Sequence, residues 1–113
     1  MTGLVLVAAG SGSRFGSSVP KQFLRLSGKR IFLYSLENLA DLCDEIVIPV
    51  PGEWVDRVRD DVSQLKCSDR TRIVKGGSNR QDSVLRGLEA LSPEITRVLI
   101  HDSARPWATR TLA

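Results

Sequence analysis

The chain has 113 residues, 42% of them hydrophobic and 26% charged, with a net charge of +3, which gives one small domain, or part of a larger one, of ordinary globular composition. No apolar run reaches the roughly 20 residues that cross a bilayer, and the N-terminus lacks the charged start and cleavage site of a signal peptide, so we expect a cytoplasmic protein without a membrane partner. Its cysteines, Cys43 and Cys67, form no paired-cysteine motif, which favours buried or half-buried free thiols over a disulfide framework or zinc site.

Strands and helices are predicted to alternate along the chain. The predicted strands span residues 4–8, 45–50 (ended by Pro49 and Pro51), 71–75 and 95–100. The predicted helices span residues 31–42, 53–65 and 78–91, the last one capped by Ser78 or Asn79. This alternation indicates an α/β sandwich with a mostly parallel sheet and no internal domain boundary within residues 1–113.

The first predicted strand leads into a glycine-rich loop, residues 8–16. It is not a Walker loop, because it does not end in Gly-Lys-Ser/Thr. It is not a dinucleotide fingerprint either, because the third of the three required glycines is not at its fixed position. Small residues let backbone N–H groups approach an anion, and Arg14 and Lys21 supply cations to neutralise a triphosphate and the charge that develops at its α-phosphorus. A plain turn is the simpler interpretation. With two cations following, we interpret the loop as a nucleoside triphosphate site.

Positive charge is concentrated around this loop. Residues 1–36 hold five basic residues and no acidic one, and the remainder is slightly acidic. A solvated basic face would explain such a segment, but a local positive field suits a small polyanion, and no aromatic stacking platform accompanies it. We therefore expect no nucleic-acid partner. The five basic residues are Arg14, Lys21, Arg25, Lys29 and Arg30.

Two further polar clusters follow the third and fourth strands. Residues 76–83 form either a tight turn with a helix cap or a surface that hydrogen-bonds a nucleobase edge. At 101–106, Asp102 is placed to meet Mg²⁺ or a ribose, and His101 is expected to be structural and hydrogen-bonded. Arg105 is expected to brace this loop. Since ligands bind beyond the carboxyl ends of parallel strands, the three clusters should converge on one edge.

Four motifs together resemble the 2-C-methyl-D-erythritol 4-phosphate cytidylyltransferase family. They are Ala-Ala-Gly-Ser-Gly-Ser-Arg-Phe-Gly at 8–16, Pro-Lys-Gln-Phe at 20–23, Gly-Gly-Ser-Asn-Arg-Gln-Asp-Ser-Val at 76–84 and His-Asp-Ser-Ala-Arg-Pro at 101–106. The motifs follow the family's order and the resemblance covers nearly the whole chain. It implies a three-layer sandwich of the Rossmann-like nucleotidyltransferase type.

The resemblance also implies a reaction and a set of site residues. An oxygen of methylerythritol phosphate attacks the α-phosphorus of CTP and releases pyrophosphate, with Mg²⁺ bridging the triphosphate. Arg14 and Lys21 are the implied catalytic residues, and Asp102 is the implied metal ligand. The implied nucleotide-binding residues are Ala8, Ala9, Gly10, Ser11, Gly12, Gly76, Gly77, Arg80, Ser83, Asp102 and Ala104.

Chains of this family are about twice as long as this one. We therefore expect the chain to be the N-terminal half of an enzyme, with most of the CTP pocket and little of the acceptor site. From the same expectation we predict that residues 1–113 alone have little turnover and that they expose a sheet edge. We also expect the full-length enzyme to be a homodimer.

Three alternatives differ from this interpretation. Ser103 stands where the family usually has alanine and is common in ribitol-5-phosphate cytidylyltransferases, which share the CTP half. A non-catalytic nucleotide-binding module is a different class of function. A dinucleotide-dependent oxidoreductase is disfavoured, because the glycine offsets fail and residues 49–51 hold no acidic residue.

Overall fold

The computed structural model describes residues 1–8, 21–23, 25–26 and 28–102. Its strands are β1 (Thr2–Val7), β2 (Arg25–Leu26), β3 (Lys29–Arg30), β4 (Glu45–Val50), β5 (Thr71–Lys75) and β6 (Arg97–Asp102). Its α-helices are α1 (Ile31–Leu39), α2 (Val55–Ser63) and α3 (Arg80–Ala90). Short 3-10 helices span Lys21–Phe23, Ala40–Leu42, Gly52–Trp54 and Lys66–Arg70.

The main sheet has the strand order β5-β4-β1-β6, and every neighbouring pair is parallel. The chain therefore runs outward from β1 to β4 and β5, and then returns to place β6 on the other side of β1. This confirms the predicted mostly parallel sheet. Strands β2 and β3 form a separate antiparallel hairpin, whose turn uses Gly28 at φ +83°, a conformation that glycine adopts without strain.

Helices cover both faces of the main sheet. Side chains alternate along β1, so Leu4 and Leu6 join the core cluster with α1 and α2, whereas Val5 points to the opposite face, where α3 approaches it at Gly87. Reversal of the strand order after β5 requires this change of face, because crossovers between parallel strands are right-handed. The protein is thus a three-layer α/β sandwich, as predicted.

Both cysteine thiols are buried and free, which confirms the prediction. Burial raises the pKa of the Cys43 thiol to about 11, and the nearby Asp44 carboxylate acts in the same direction. Cys43 is therefore a neutral apolar side chain at physiological pH and not a nucleophile.

Several element boundaries differ from the sequence predictions. Pro49 does not end its strand but lies inside β4, where it pairs in register with Val74. Lacking an N–H, Pro49 interrupts only the ladder toward β1, whose pairs end at Val5↔Val47. On that side its carbonyl still accepts a hydrogen bond from the Ala8 N–H, at 3.0 Å.

The fourth strand of the main sheet lies two residues later than predicted. It begins at Arg97, because the Ile95 N–H closes a turn on the Ser92 carbonyl, and only after this turn do the Thr96 and Arg97 N–H groups donate to the Met1 carbonyl, at 2.9 and 3.3 Å. His101 and Asp102 therefore belong to β6 itself rather than to the loop after it. The predicted helices 31–42 and 53–65 are shorter as α-helices, with 3-10 turns at Ala40–Leu42 and Gly52–Trp54.

Strand β6 forms one edge of the sheet within the described part of the chain. Its Val98 and Ile100 side chains are 36% and 42% exposed, and Leu85 and Leu88 of α3 are 54% and 37% exposed. Val98 and Ile100 are in register with Gly3 and Val5, so they point to the face that α3 covers. An exposed sheet edge was expected, and the exposed side chains on this one are apolar. Among the described residues, no helix is long and apolar enough to cross a membrane.

Replacing Gly87 by alanine is expected to destabilise the protein. A Cβ atom at Gly87 would lie 2.5 Å from Val5 Cγ1 and 3.3 Å from Pro49 Cγ. Overpacking of this kind costs about 1–3 kcal/mol, which outweighs the gain of up to about 1 kcal/mol from replacing a helical glycine by alanine. We expect urea denaturation to show a free energy of unfolding lower by about 1–2 kcal/mol.

Gly52→Ala is the matched control. There the new Cβ would meet only the flexible Lys75 side chain, at 3.2 Å from its Cε atom. Its free energy of unfolding should stay within about 0.5 kcal/mol of the wild type. A Gly87→Ala protein as stable as this control would contradict the close packing of α3 on β1.

Candidate functional site

The carboxyl ends of the four main strands meet at one edge of the sheet, called the carboxyl edge below. Val7 and Asp102 are in register there. The Gly76 N–H, directly after β5, donates to the Val50 carbonyl at 2.7 Å. The ends of β5 and β6 are three strand spacings, about 14 Å, apart. The segments after β1, β5 and β6 therefore start from one edge of the sheet, as predicted, while residues 9–20 and 103–106 of these segments lie outside the described residues.

This edge lies at the point where the strand order reverses. The chain leaves β1 toward β4 but later returns to β1's other side as β6. In open α/β sheets, ligands bind in a crevice at such a reversal, beyond the carboxyl ends of the strands. Ala8 directly follows β1 at this position and is buried, at 1% exposure.

Of the glycine loop, residues 8–16, only Ala8 belongs to the described residues. The predicted site residues Ala9, Gly10, Ser11, Gly12 and Arg14 lie outside them. The loop leads into the 3-10 helix Lys21–Phe23, and the described part of Lys21 is its backbone. The backbone of Lys21 lies close to the end of β1, because the adjacent residue Gln22 is hydrogen-bonded to Ala8.

Phe23 anchors this 3-10 helix in the core. Its ring stacks on Trp54 with a centroid distance of 4.3 Å and meets Phe32 edge to face at 5.9 Å. The Phe23 carbonyl accepts a hydrogen bond from Arg30 Nη1 at 3.0 Å, and Arg30 Nε donates to Asp61 Oδ2 at 2.7 Å. The exit of the glycine loop is therefore held by both α1 and α2.

The cluster after β5 is built around the start of α3. Asn79 is the N-cap residue, with its Oδ1 atom accepting from the Asp82 N–H at 2.8 Å. The Ser78 hydroxyl donates to the Asp82 carboxylate at 2.8 Å. This settles which of the two candidate residues caps the helix. Exposed Arg80 is the first residue of α3.

Gly77 and Ser83 are bound to each other. The Gly77 N–H donates to the Ser83 hydroxyl at 3.0 Å, and Ser83 is only 1% exposed. A Cβ atom at Gly77 would lie 2.2 Å from Asp82 Cβ, so this position requires glycine. Residues 76–83 can therefore be both a tight turn with a helix cap and a surface for a nucleobase. The hydrogen bonds of Gly77 to Ser83 and of Gly76 to Val50 form the turn and also hold Gly76 at the carboxyl edge.

Asp102 and His101 end β6. Asp102 is half-buried beside Val7. His101 is 7% exposed, and its Nε2 atom has no hydrogen-bond partner within the described ranges, so the expected hydrogen bond is not found at that atom. Ala104 and Arg105 lie outside the described residues.

The metal-binding side chains at the carboxyl edge suit a metal ion that takes most of its ligands from the phosphates of a nucleotide. No group of three or more His, Cys, Asp and Glu side chains able to bind a metal occurs in the part of the chain that the structure describes. Mg²⁺ is usually bound by one or two carboxylates together with substrate phosphates and water. Asp102, a single carboxylate at the carboxyl edge, fits that arrangement.

The basic N-terminal segment is less positive in three dimensions than in the sequence. Lys29 pairs with Glu37, and Arg30 pairs with Asp61, both acidic partners from outside the segment. Arg25 donates to the Gly28 carbonyl within its own hairpin. Lys29 and Arg30 are therefore partly neutralised by acidic partners, which weakens the positive field of the segment, whereas Arg25 keeps its charge because a carbonyl is neutral. Arg14 and Lys21 stay the predicted candidates for phosphate contacts.

Sequence reasoning missed Gln22 and Trp54. Gln22 Nε2 donates to the Ala8 carbonyl at 2.7 Å in a buried hydrogen bond. Trp54 stacks on Phe23 and lies beneath the guanidinium groups of Arg30 and Arg57, at 5.2 and 4.9 Å from the ring centroid. Gln22 falls inside the Pro-Lys-Gln-Phe motif, but only the fold shows what it contacts.

The chain matches known proteins over almost its whole length. It is 40% identical over 108 residues to the 2-C-methyl-D-erythritol 4-phosphate cytidylyltransferase of Clostridium botulinum (strain Langeland), covering 94% of this chain and 47% of the relative. It is 44% identical over 108 residues to the enzyme of the same name from Thermotoga neapolitana, covering 91% and 46%. The chain thus spans about half the length of these curated relatives.

A solved structure and a family model agree with these relatives. The crystal structure of 4-diphosphocytidyl-2C-methyl-D-erythritol synthase from Anaerococcus prevotii superimposes with a TM-score of 0.82 at 26% identity, covering 98% of this chain and 47% of the other. The family model for 2-C-methyl-D-erythritol 4-phosphate cytidylyltransferase, IspD, matches residues 2–112. The chain therefore belongs to the 2-C-methyl-D-erythritol 4-phosphate cytidylyltransferase family.

Proposed function

We propose that this chain supplies the nucleotide half of a cytidylyltransferase. The reaction joins CTP and 2-C-methyl-D-erythritol 4-phosphate into 4-diphosphocytidyl-2-C-methyl-D-erythritol and pyrophosphate, a step of non-mevalonate isoprenoid biosynthesis. The observation that carries this proposal is that the segments after β1, β5 and β6 all start at the carboxyl edge. Those segments carry the motifs of the family to which the chain belongs.

The proposed chemistry needs charge stabilisation more than proton transfer. A phosphate oxygen of the acceptor forms the new bond to the α-phosphorus of CTP, and the bond from that phosphorus to the bridging oxygen breaks as pyrophosphate leaves. The nucleophile is already an anion, so a general base is not required. Lys21 and Arg14 act on the negative charge that builds up on the α-phosphate oxygens.

The nucleoside end of CTP lies, in this proposal, against the turn at residues 76–83. Gly76 and Gly77 allow close approach of a ligand, because neither carries a side chain. Asn79 and Ser83 hold the turn through the Asp82 and Gly77 N–H groups, which makes it rigid before the nucleotide binds. Ala8, Ala9, Gly10, Ser11, Gly12, Arg80 and Ala104 complete the proposed nucleotide site.

Mg²⁺ is the proposed metal. Asp102 at the end of β6 is the residue that would hold it, together with the phosphates of CTP. When bound, the ion neutralises triphosphate charge and helps pyrophosphate to leave.

The acceptor is proposed to bind through residues beyond this half of the domain. The apolar side chains of Val98 and Ile100 on β6, with Leu85 and Leu88 on α3, form an exposed face. A right-handed crossover that continued the sheet beyond β6 would lay its helix on this face. The remaining length of the relatives is the natural source of such a helix and strand, and a homodimer is proposed for the full-length enzyme.

Pyrophosphate release tests this proposal. The protein at its full natural length should turn over CTP with methylerythritol phosphate about 100-fold faster than with ribitol 5-phosphate, because the buried polar groups of the acceptor site would discriminate the two. Residues 1–113 alone should bind CTP with little turnover. A normal rate from residues 1–113 would contradict the division into nucleotide and acceptor halves.

Ribitol-5-phosphate cytidylyltransferase is the second candidate, and Ser103 is the residue that favours it. The same assay separates the two candidates. A faster rate with ribitol 5-phosphate would mean that ribitol 5-phosphate is the acceptor, while the proposed reaction at CTP would stay the same. Binding of CTP without turnover at full natural length, with either acceptor, would instead favour a nucleotide-binding module.

A further inference from the structure

Gln22 connects the residue that follows β1, Ala8, with the 3-10 helix Lys21–Phe23, and the glycine loop lies between these two points in the sequence. It is the middle residue of the 3-10 helix Lys21–Phe23 and is only 5% exposed. Its side-chain amide Nε2 donates to the Ala8 carbonyl at 2.7 Å. Ala8 is the last described residue before the loop, and Lys21 is the first one after it.

Both ends of this connection are fixed independently. The Ala8 N–H donates to the Pro49 carbonyl of β4 at 3.0 Å. On the other side, Phe23 is 1% exposed and stacks on Trp54 at 4.3 Å. The Gln22 amide therefore joins two rigid points, the end of the sheet and the aromatic core, across the base of the loop.

We infer that Gln22 is a positioning residue, which sets where Lys21 stands relative to the end of β1. This inference rests on the proposed function, because it matters for catalysis only if Lys21 acts on the α-phosphate. Lys21 is bonded directly to Gln22 in the chain, so a shift of the 3-10 helix moves the start of the lysine side chain. Misplacement of a catalytic group by about 1 Å can lower a rate about 100-fold.

The site is specific for a glutamine. Asparagine is one methylene shorter and would not span from the 3-10 helix to the Ala8 carbonyl without moving the backbone. A glutamate carboxylate only accepts hydrogen bonds and would face the Ala8 carbonyl oxygen, another acceptor. Methionine has a similar length and volume but lacks the N–H donor, so it tests the hydrogen bond while keeping the packing.

The test is Gln22→Met in the protein at its full natural length, assayed for pyrophosphate release from CTP. We expect kcat to fall about 10- to 100-fold while the KM for CTP changes less than about threefold, because binding contacts remain and alignment is lost. Circular dichroism at the assay temperature must show the variant to be folded.

Ser92→Ala is the control, since it also removes side-chain hydrogen bonding at a partly buried position, but far from the carboxyl edge. The Ser92 hydroxyl donates to the Glu45 carboxylate at 2.6 Å. Glu45 is the first residue of β4, so it lies at the amino ends of the strands, opposite to the carboxyl edge. This control should keep the wild-type kcat. Equal losses of kcat in both variants, or an unchanged kcat in Gln22→Met, would overturn the positioning role.

A second measurement separates this inference from the proposed function. In ¹⁵N NMR spectra of the wild type, the Gln22 side-chain amide protons should exchange with water slowly if the bond to Ala8 persists in solution. Fast exchange would overturn the inference directly. Slow exchange together with no pyrophosphate release from wild-type protein would uphold the connection between Gln22 and Ala8 and refute the proposed function instead.

Discussion

Lys21→Ala is expected to lower kcat about 100- to 1,000-fold at full natural length, the range seen when one preorganised group that stabilises developing charge is removed. The ammonium group acts mainly on charge that appears as the new bond to phosphorus forms, so the KM for CTP should rise much less than kcat falls. Steady-state rates of pyrophosphate release, measured over a range of CTP concentrations, give both constants.

Lys66→Ala is the control for this variant. Lys66 is exposed and begins the 3-10 helix that precedes β5, so it lies at the amino end of that strand, away from the carboxyl edge. The Lys66→Ala variant loses the same charge as Lys21→Ala, and its kcat should stay within about twofold of the wild type, as expected for an exposed lysine outside the site. If Lys21→Ala left both CTP binding and turnover at wild-type values, the catalytic role assigned to Lys21 would be wrong.

Phe23→Ala is expected to lower the free energy of unfolding by about 3–5 kcal/mol, the usual cost of truncating a buried phenylalanine. The ring is 1% exposed and contacts two other aromatic rings, Trp54 and Phe32, so its loss opens a cavity between α1 and the start of α2. A loss of this size is a large share of the stability of a small domain. Urea denaturation followed by circular dichroism measures it.

Leu85→Ala is the matched control for Phe23→Ala. Leu85 is also a large apolar side chain, but it is 54% exposed. Its truncation should change the free energy of unfolding by no more than about 0.5 kcal/mol. A loss below about 1 kcal/mol in Phe23→Ala would mean that the aromatic cluster does not anchor the 3-10 helix as the structure indicates.

The architecture could be predicted because it depends on patterns that are local in sequence. The strands Glu45–Val50 and Thr71–Lys75 have the bounds that their sequences predict. The rule for parallel sheets alone places the start of the segments after β1, β5 and β6 at one edge. Neither result required knowledge of a side-chain contact.

The predictions that were wrong depended on contacts between distant segments. Pro49 lies inside β4 because the ladder to β5 does not need its missing N–H. The start of β6 is set by Met1, at the other end of the described chain. The charges of Lys29 and Arg30 are paired with Glu37 and Asp61, and no local pattern identifies those partners.

The site was predicted less completely than the fold. The roles of Arg14, Ala104 and the loop from Ala9 to Gly12 stay predictions, because these residues lie outside the described part of the chain. Gln22 was part of a quoted motif, yet its bond to Ala8 joins residues 14 positions apart. Such a bond depends on the path of the intervening chain, which a pattern of residue types does not specify.

Among the described strands, β1, an inner strand of the sheet, is the first to be synthesised. One side of β1 pairs with β6, and the N-terminal amine reaches Thr96, 95 positions along the chain. At about 5–20 residues per second, a ribosome takes about 5–20 s to make that partner. During this interval β1 can pair only with β4, and its other side presents unpaired backbone groups. The strand that precedes the glycine loop is thus the first of the described strands to be made and must wait for β6 before both of its sides are paired.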